Sequence, residues 1–196
     1  MNFLKKIFNI SNESPKENLA NAQEIILSLD DSFVHNFLEK GGKFLYCTKK
    51  KEIADHLENI LLENNWKELV CIDKNIAKIA NKKQVNLKED INYSAPFFTS
   101  CEHLIADNGD ILFSSNQLRS KKIASLSDHF IVFATTSQLV KNMGEGLTGI
   151  KTNFKGNIPT NISAIKNYTI NKKDDNFLNY GNNNSKNLYL LLFEDL

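Results

Sequence analysis

The stretch Thr99-Ser100-Cys101-Glu102-His103-Leu104-Ile105-Ala106-Asp107-Asn108-Gly109-Asp110-Ile111-Leu112-Phe113-Ser114-Ser115 decides how the fold is read. Two short apolar runs, 104–106 and 111–113, flank Asp107-Asn108-Gly109-Asp110. Asn-Gly in that setting predicts a tight two-residue hairpin, because such a turn needs positive φ at both central positions. Glycine has no Cβ to clash there, and asparagine tolerates the left-handed region better than most residues. The polar groups Glu102, Ser114 and Ser115 then fall at the ends of the runs, where a sheet meets solvent.

On the N-terminal side, residues 16–40 read as helix in two pieces broken near Leu29-Asp30-Asp31-Ser32. Asp31 or Ser32 would cap the second piece and Gly41-Gly42 would end it. Lys43–Cys47 is a strand. Residues 49–64 form an amphipathic helix, with Ile53, Leu57, Ile60 and Leu61 at i, i+4, i+7 and i+8. Residues 68–72 form a second strand, followed by Asp73 as a cap and a short helix over 74–81. Residues 82–98 are polar and irregular, with room for one edge strand. On the C-terminal side, His129–Ala134 is continuously apolar after its histidine, as expected of a strand covered on both faces. Thr135, Thr136 and Ser137 would cap a helix starting near Gln138. Residues 144–160 read as a glycine-containing loop, 161–166 as a helical turn, 182–185 as a turn and 188–193 as a closing buried strand. Strands alternating with helices give an α/β fold, a mostly parallel sheet flanked by helices. Its strands are expected at 44–47, 69–72, 111–113, 130–133 and 188–193.

The chain has 196 residues, 41% of them hydrophobic and 24% charged, which suits one domain over 16–196. Residues 1–15 read as an appendage, a short amphipathic helix with Phe3, Leu4, Ile7 and Phe8 on one face, then a linker at Ser11–Pro15. A net charge of +1 gives no electrostatic case for nucleic acid. No apolar run is long enough to cross a bilayer, and the start lacks the apolar core of a secretory signal. Cys47, Cys71 and Cys101 are odd in number and form no CxxC, so a cytoplasmic location is expected. The oligomeric state is left open.

Gly144-Glu145-Gly146-Leu147-Thr148-Gly149 matches GxGxxG, but a dinucleotide site needs it directly after a strand and opening a helix. Here it follows an expected helix and reads as a helix stop. Lys49-Lys50-Lys51 at a strand-to-helix junction is either a phosphate or carboxylate site or a solvated cluster offset by Glu52 and Asp55. Cys101, His103 and His129 are ligand types without a second pair at zinc-finger spacing, so no metal and no cofactor are assigned. Glu102 and Asp107 are candidate catalytic carboxylates, as base or nucleophile, against a surface residue and a turn-stabilising one. Ser114, Ser115, Thr135 and Thr136 lie just past strand ends, where ligands bind in open α/β sheets. Helix capping explains the two threonines equally well.

Ala106-Asp107-Asn108-Gly109-Asp110-Ile111-Leu112-Phe113 resembles a segment of the LUD domain family, the lactate-utilisation B/C-type proteins. The resemblance continues through His129-Phe130-Ile131-Val132, the helix expected at Gln138-Leu139-Val140 and the closing strand at 188–193. It implies a fold similar to ribose-5-phosphate isomerase and CoA transferases. A downstream family segment looks like Ile158–Lys166, with the acidic positions replaced by Ala164 and Lys166. A family histidine would be Asn183, which can hydrogen-bond but cannot shuttle protons near neutral pH. The cysteine-rich iron–sulfur segments of the B-type proteins are missing from this sequence. The resemblance implies an accessory protein in the oxidation of lactate or a related organic acid, working with protein partners. It would hold a small anion near Lys49, Lys50, Ser114, Ser115, Thr135, Thr136 and Asn183. The alternatives are an enzyme acting on a phosphorylated or CoA-linked small molecule, and a non-catalytic interaction module.

Overall fold

A computed structural model describes residues 27–83, 85–170 and 184–195. The appendage at 1–15, most of the first helical piece after residue 16, and Asn183 lie outside the described residues. Helix α1 (Leu29–Glu39) is capped by Ser28, whose Oγ accepts the Asp31 amide at 3.3 Å. Asp31 and Ser32, the expected caps, therefore sit inside its first turn. Gly41, left-handed at φ 85°, turns the chain into β1 (Lys43–Cys47). The elements α2 (Lys50–Glu63), β2 (Glu68–Val70) and α3 (Lys74–Ala80) follow where periodicity placed them. Asp73 caps α3 by accepting the amides of Asn75 and Ile76 at 2.8 and 3.4 Å. The chain continues as β3 (Asn86–Lys88), β4 (Phe97–Ser100), β5 (His103–Ile105) and β6 (Asp110–Phe113). After a single turn, α4 (Ser115–Leu118), come β7 (His129–Thr135), β8 (Leu139–Val140), α5 (Met143–Asn153), β9 (Ser163–Ile165) and β10 (Asn187–Phe193).

The strands form two sheets, one of six in the order β1-β10-β7-β4-β2-β3 and one of four in the order β8-β5-β6-β9. All five pairings of the larger sheet are parallel. Alternation along a strand sends successive side chains to opposite faces. Phe130, Val132, Leu188, Leu190 and Leu192 therefore meet Phe33, Val34 and Phe37 of α1 and Leu104, Ile111 and Phe113 of the smaller sheet. Ile131, Tyr189 and Leu191 meet Ile53, Leu57, Ile60 and Leu61 of α2 and Ile76 of α3 on the other face. The main sheet is thus buried on both sides, which explains its near-continuous apolar strands.

Several expectations are corrected. The segment at 111–113 pairs antiparallel with β5 in the smaller sheet, not with the parallel strands. Its turn is a four-residue loop, 106–109, because Ile105 pairs with Asp110; Gly109 alone is left-handed there (φ 69°). A Cβ on Gly109 would lie 2.6 Å from the Phe37 backbone nitrogen, so close approach of α1 also demands glycine. The helix expected from 138 is a 3-10 turn, Thr136–Gln138, followed by β8. The expected glycine loop is α5, capped by Asn142. Its glycines let it lie against the smaller sheet: a Cβ on Gly146 would be 3.2 Å from Ile105 Cδ1, and one on Gly149 would be 2.8 Å from His103 Nε2. The turn expected at 161–166 contains β9, which pairs with β6.

Candidate functional site

Because the six strands run parallel, their carboxyl ends line one edge, and the loops leaving them share it. In order across β1, β10, β7 and β4 these are Thr48-Lys49-Lys50, Glu194-Asp195, Thr136-Ser137-Gln138 and Cys101-Glu102. Sheet spacing puts the first and third loops about 10 Å apart. Two donor groups on this edge, at Thr48-Lys49 and at Thr136-Ser137, each already hold a carboxylate of the chain itself.

At the start of α2, the amides of Thr48 and Lys49 donate to Glu52 Oε2 at 2.8 and 3.1 Å. Those amides, with the Thr48 hydroxyl and Lys49 charge, hold the Glu52 carboxyl below its usual range despite some opposing desolvation. Lys49 and Lys50 are exposed beside this cap. After β7, Thr136 Oγ1, the Ser137 amide and Ser137 Oγ donate to Asp195 at 2.8, 3.0 and 2.7 Å. Slight burial raises the Asp195 pKa, but the Ser137, Thr136 and Thr135 donors outweigh it and bring it down to about 2. The Thr135 amide donates to Gln138 Oε1 at 2.8 Å. Gln138 Nε2 in turn donates to the carbonyls of Cys101 and Glu102 at 2.6 and 3.2 Å. One amide side chain thus ties the end of β7 to the link between the two sheets.

On the far side of that link, Glu102 Oε1 accepts from Ser114 Oγ at 2.6 Å, Asn116 Nδ2 at 2.8 Å and Gln117 Nε2 at 3.2 Å. Ser114 is fully buried as the cap of α4 and also accepts the Asn116 amide at 3.1 Å. Oε2 makes no hydrogen bond to a described residue. Ser115 faces the chain after α5: its amide donates to the Thr160 carbonyl at 2.8 Å and its Oγ accepts the Thr160 amide at 3.0 Å.

The structure therefore brings Glu102 and Ser114 into contact and places Thr135 and Thr136 one loop away, with Lys49 and Lys50 further along the edge. Asp107 stands apart, exposed in the loop beyond β5, separated from Glu102 by the strand's length, about 10 Å. The two carboxylates do not face each other. His129 opens β7 at the opposite end of the sheet, and its Nδ1 lies 3.0 Å from Asn187 Nδ2. His103 Nδ1 lies 3.2 Å from the Gln138 carbonyl, which can only accept, so that nitrogen carries the proton. Cys101 is buried, and burial together with the Glu102 charge pushes its thiol far above the ordinary range. Among the described residues no group of three His, Cys, Asp or Glu side chains is placed to hold a metal ion.

The GxGxxG run lies inside α5, and the amino end of that helix is closed by the chain's own oxygens. Asn142 Oδ1 accepts the Glu145 amide at 3.0 Å, and Glu145 Oε2 accepts the Lys141 amide at 2.8 Å. Gln138, Asn116, Gln117 and Asp195 escaped sequence reasoning. The spacing Ser114-x-x-Gln117 is a capping-box signature and could have marked two of the Glu102 partners. No local pattern marks Asp195.

Residues 31–193 match the sequence model of the LUD domain. The fold is similar to the crystal structure of a DUF162 family protein from Deinococcus radiodurans, with 13% sequence identity and a TM-score of 0.59. That match covers 86% of this chain and 99% of the other. No curated protein matches the chain. Among the described residues no helix is long and apolar enough to cross a membrane.

Proposed function

Since the chain belongs to the LUD domain family, we propose that it is an accessory protein in the oxidation of lactate or a related organic acid. In this reading it works with protein partners and holds a small carboxylate at the carboxyl edge of the main sheet. The observation that carries it is the set of donors at Thr136 and Ser137, which converge within 2.7–3.0 Å on the carboxylate of Asp195. Donors that hold one carboxylate in its charged form fit another of the same size. A ligand carboxylate takes this place when Asp195 swings out. Thr135 and Thr136 line it, Lys49 and Lys50 supply positive charge along the edge, and Ser114 and Ser115 fix its far wall. Asn183 remains a proposed contact outside the described residues.

The test is a thermal-shift and calorimetric screen against lactate, CoA esters, sugar phosphates and nucleotides. Lactate is expected to raise the melting temperature, Asp195→Ala to strengthen its binding and Lys49→Glu/Lys50→Glu to abolish it. Lactate binding that ignores both variants would place the anion elsewhere; no response to any organic acid would refute the reading. A second reading, an enzyme acting on a phosphorylated or CoA-linked molecule, draws on Glu102. Three donors orient its Oε1 and leave Oε2 turned from them, as a nucleophile requires. Glu102→Gln would then remove turnover with little change in stability.

A further inference from the structure

At the opposite, amino edge of the main sheet the ladder is broken in one place. Along β2 and the residue on either side of it, Lys67, Leu69 and Cys71 direct their peptide groups toward β3: the Asn86 amide donates to the Lys67 carbonyl at 3.1 Å and the Cys71 amide to the Lys88 carbonyl at 2.9 Å. Glu68 and Val70 therefore face β4, and the Val70 amide donates to the Pro96 carbonyl at 2.9 Å. One rung earlier, a regular parallel ladder would have the residue-96 amide donate to the Glu68 carbonyl and the Glu68 amide donate to the Ser94 carbonyl. Residue 96 is proline and has no N–H, so the first bond cannot form. The second is not made either, and the Ala95 amide turns back to the Tyr93 carbonyl at 3.0 Å. Beside this gap lies an open cleft of about 490 Å³ whose walls include Trp66, Glu68, Ser94, Ala95 and Pro96. The Glu68 carboxylate is engaged on the rim by Tyr93 Oη at 2.6 Å, Lys88 Nζ at 3.1 Å and Asn86 Nδ2 at 3.1 Å. What the cleft receives from β2 is thus a neutral pair, one N–H and one C=O of the same residue.

We propose that this cleft binds a small planar ring with a lactam edge, its N–H and C=O pairing with the Glu68 carbonyl and amide and its face against Trp66. In an antiparallel pair one residue takes both bonds of the residue opposite, donor and acceptor side by side. A cis-amide presents the same complementary donor and acceptor side by side. Trp66 suits the ring because an indole offers a large flat apolar surface with a polar N–H at its edge. The site lies at the other end of the strands from the carboxylate-holding edge and does not depend on it.

The chain has one tryptophan; Trp66 lines this cleft and also a neighbouring one against α2, so its fluorescence reports binding at either, and Pro96→Ala assigns the signal to this one. Uracil is the probe, and its fully N-methylated form, 1,3-dimethyluracil, is the control with the same ring and no N–H. Uracil is expected to change the emission saturably, with a dissociation constant on the order of 1 mM, and dimethyluracil to produce no saturable change. Pro96→Ala returns an N–H opposite the Glu68 carbonyl and should weaken uracil binding at least tenfold while circular dichroism shows the fold retained. A flat response to uracil overturns the proposal, as does equal binding of both pyrimidines. Unchanged affinity in a folded Pro96→Ala protein overturns it too.

Discussion

The larger sheet has two seven-residue strands, β7 and β10, running side by side at its centre, buried on both faces and paired throughout in parallel. The smaller sheet has strands of two to four residues, and it is held by features outside its ladder. Gln138 stitches it to β7, Gly146 and Gly149 let α5 settle on it, and Asn36 Nδ2 donates to the Ala106 carbonyl at 2.8 Å. Lys40 adds an ion pair to Asp110 at 2.7 Å. The first sheet is specified by what its strands are, the second by what surrounds it. Stability should therefore be spread over a large apolar core in one case and concentrated in single contacts in the other.

The largest expected loss lies where the two sheets share a core. Phe130 meets Phe97 and Phe113 edge-on, at ring-centre distances of 5.2 and 6.1 Å. Phe130→Ala should cost about 4 kcal/mol in a urea titration, with one transition for the whole molecule. A separate early transition of the smaller sheet would show that the two are less coupled than this packing implies. Next, Lys40→Met leaves the Asp110 carboxylate, 2% exposed, without its counter-ion. That should cost about 3 kcal/mol in the same titration, and a neutral outcome would mean the pair contributes little. Third, Gly149→Ala forces a methyl toward His103 and should cost more than about 1 kcal/mol. Hydrogen exchange should quicken at β5 and β8 while β10 stays protected; faster exchange in β10 would erase the distinction.

At neutral pH the main-sheet core shows no such loss, but it carries a pH dependence. Burial pushes the Cys47 thiol up to about 12 and the Cys71 thiol up to about 11, against an ordinary 9.0. Both stay protonated in the folded chain while the unfolded chain ionises, so their contribution is complete below pH 9 and is lost as the pH climbs toward 11–12. Urea midpoints at neutral and alkaline pH check this. A serine at both positions should flatten the alkaline decline.

The same division governs what could be read from sequence. The strands β7 and β10 and helix α2 were legible because a run of apolar residues, or its recurrence at helical spacing, is a local property. β4 was lost because Pro96 and the polar stretch before it hide a four-residue strand whose burial is conferred by β7. α5 was lost because three glycines lower helix propensity, and only the closeness of Ile105 and His103 explains them. β8 and β9 exist because β5 and β6 offer them partners. In the candidate site, Ser114, Thr135 and Thr136 stand out in the sequence by the rule that ligands lie past strand ends. Glu102 was singled out without its three donors, and Asp195 reaches its donors from 58 residues away in sequence.

The position of β10 carries one more consequence. Among the described residues β1 pairs only with β10, and β10 also separates β1 from β7. A ribosome that has delivered everything through α5 has therefore released β1 and β7 with a strand-wide slot between them, each with a bare hydrogen-bonding edge. Strand β10, translated after both of its neighbours, is the keystone. Until it arrives the nascent sheet is a template for any extended segment nearby, so expression yield should depend on how quickly residues 187–193 follow.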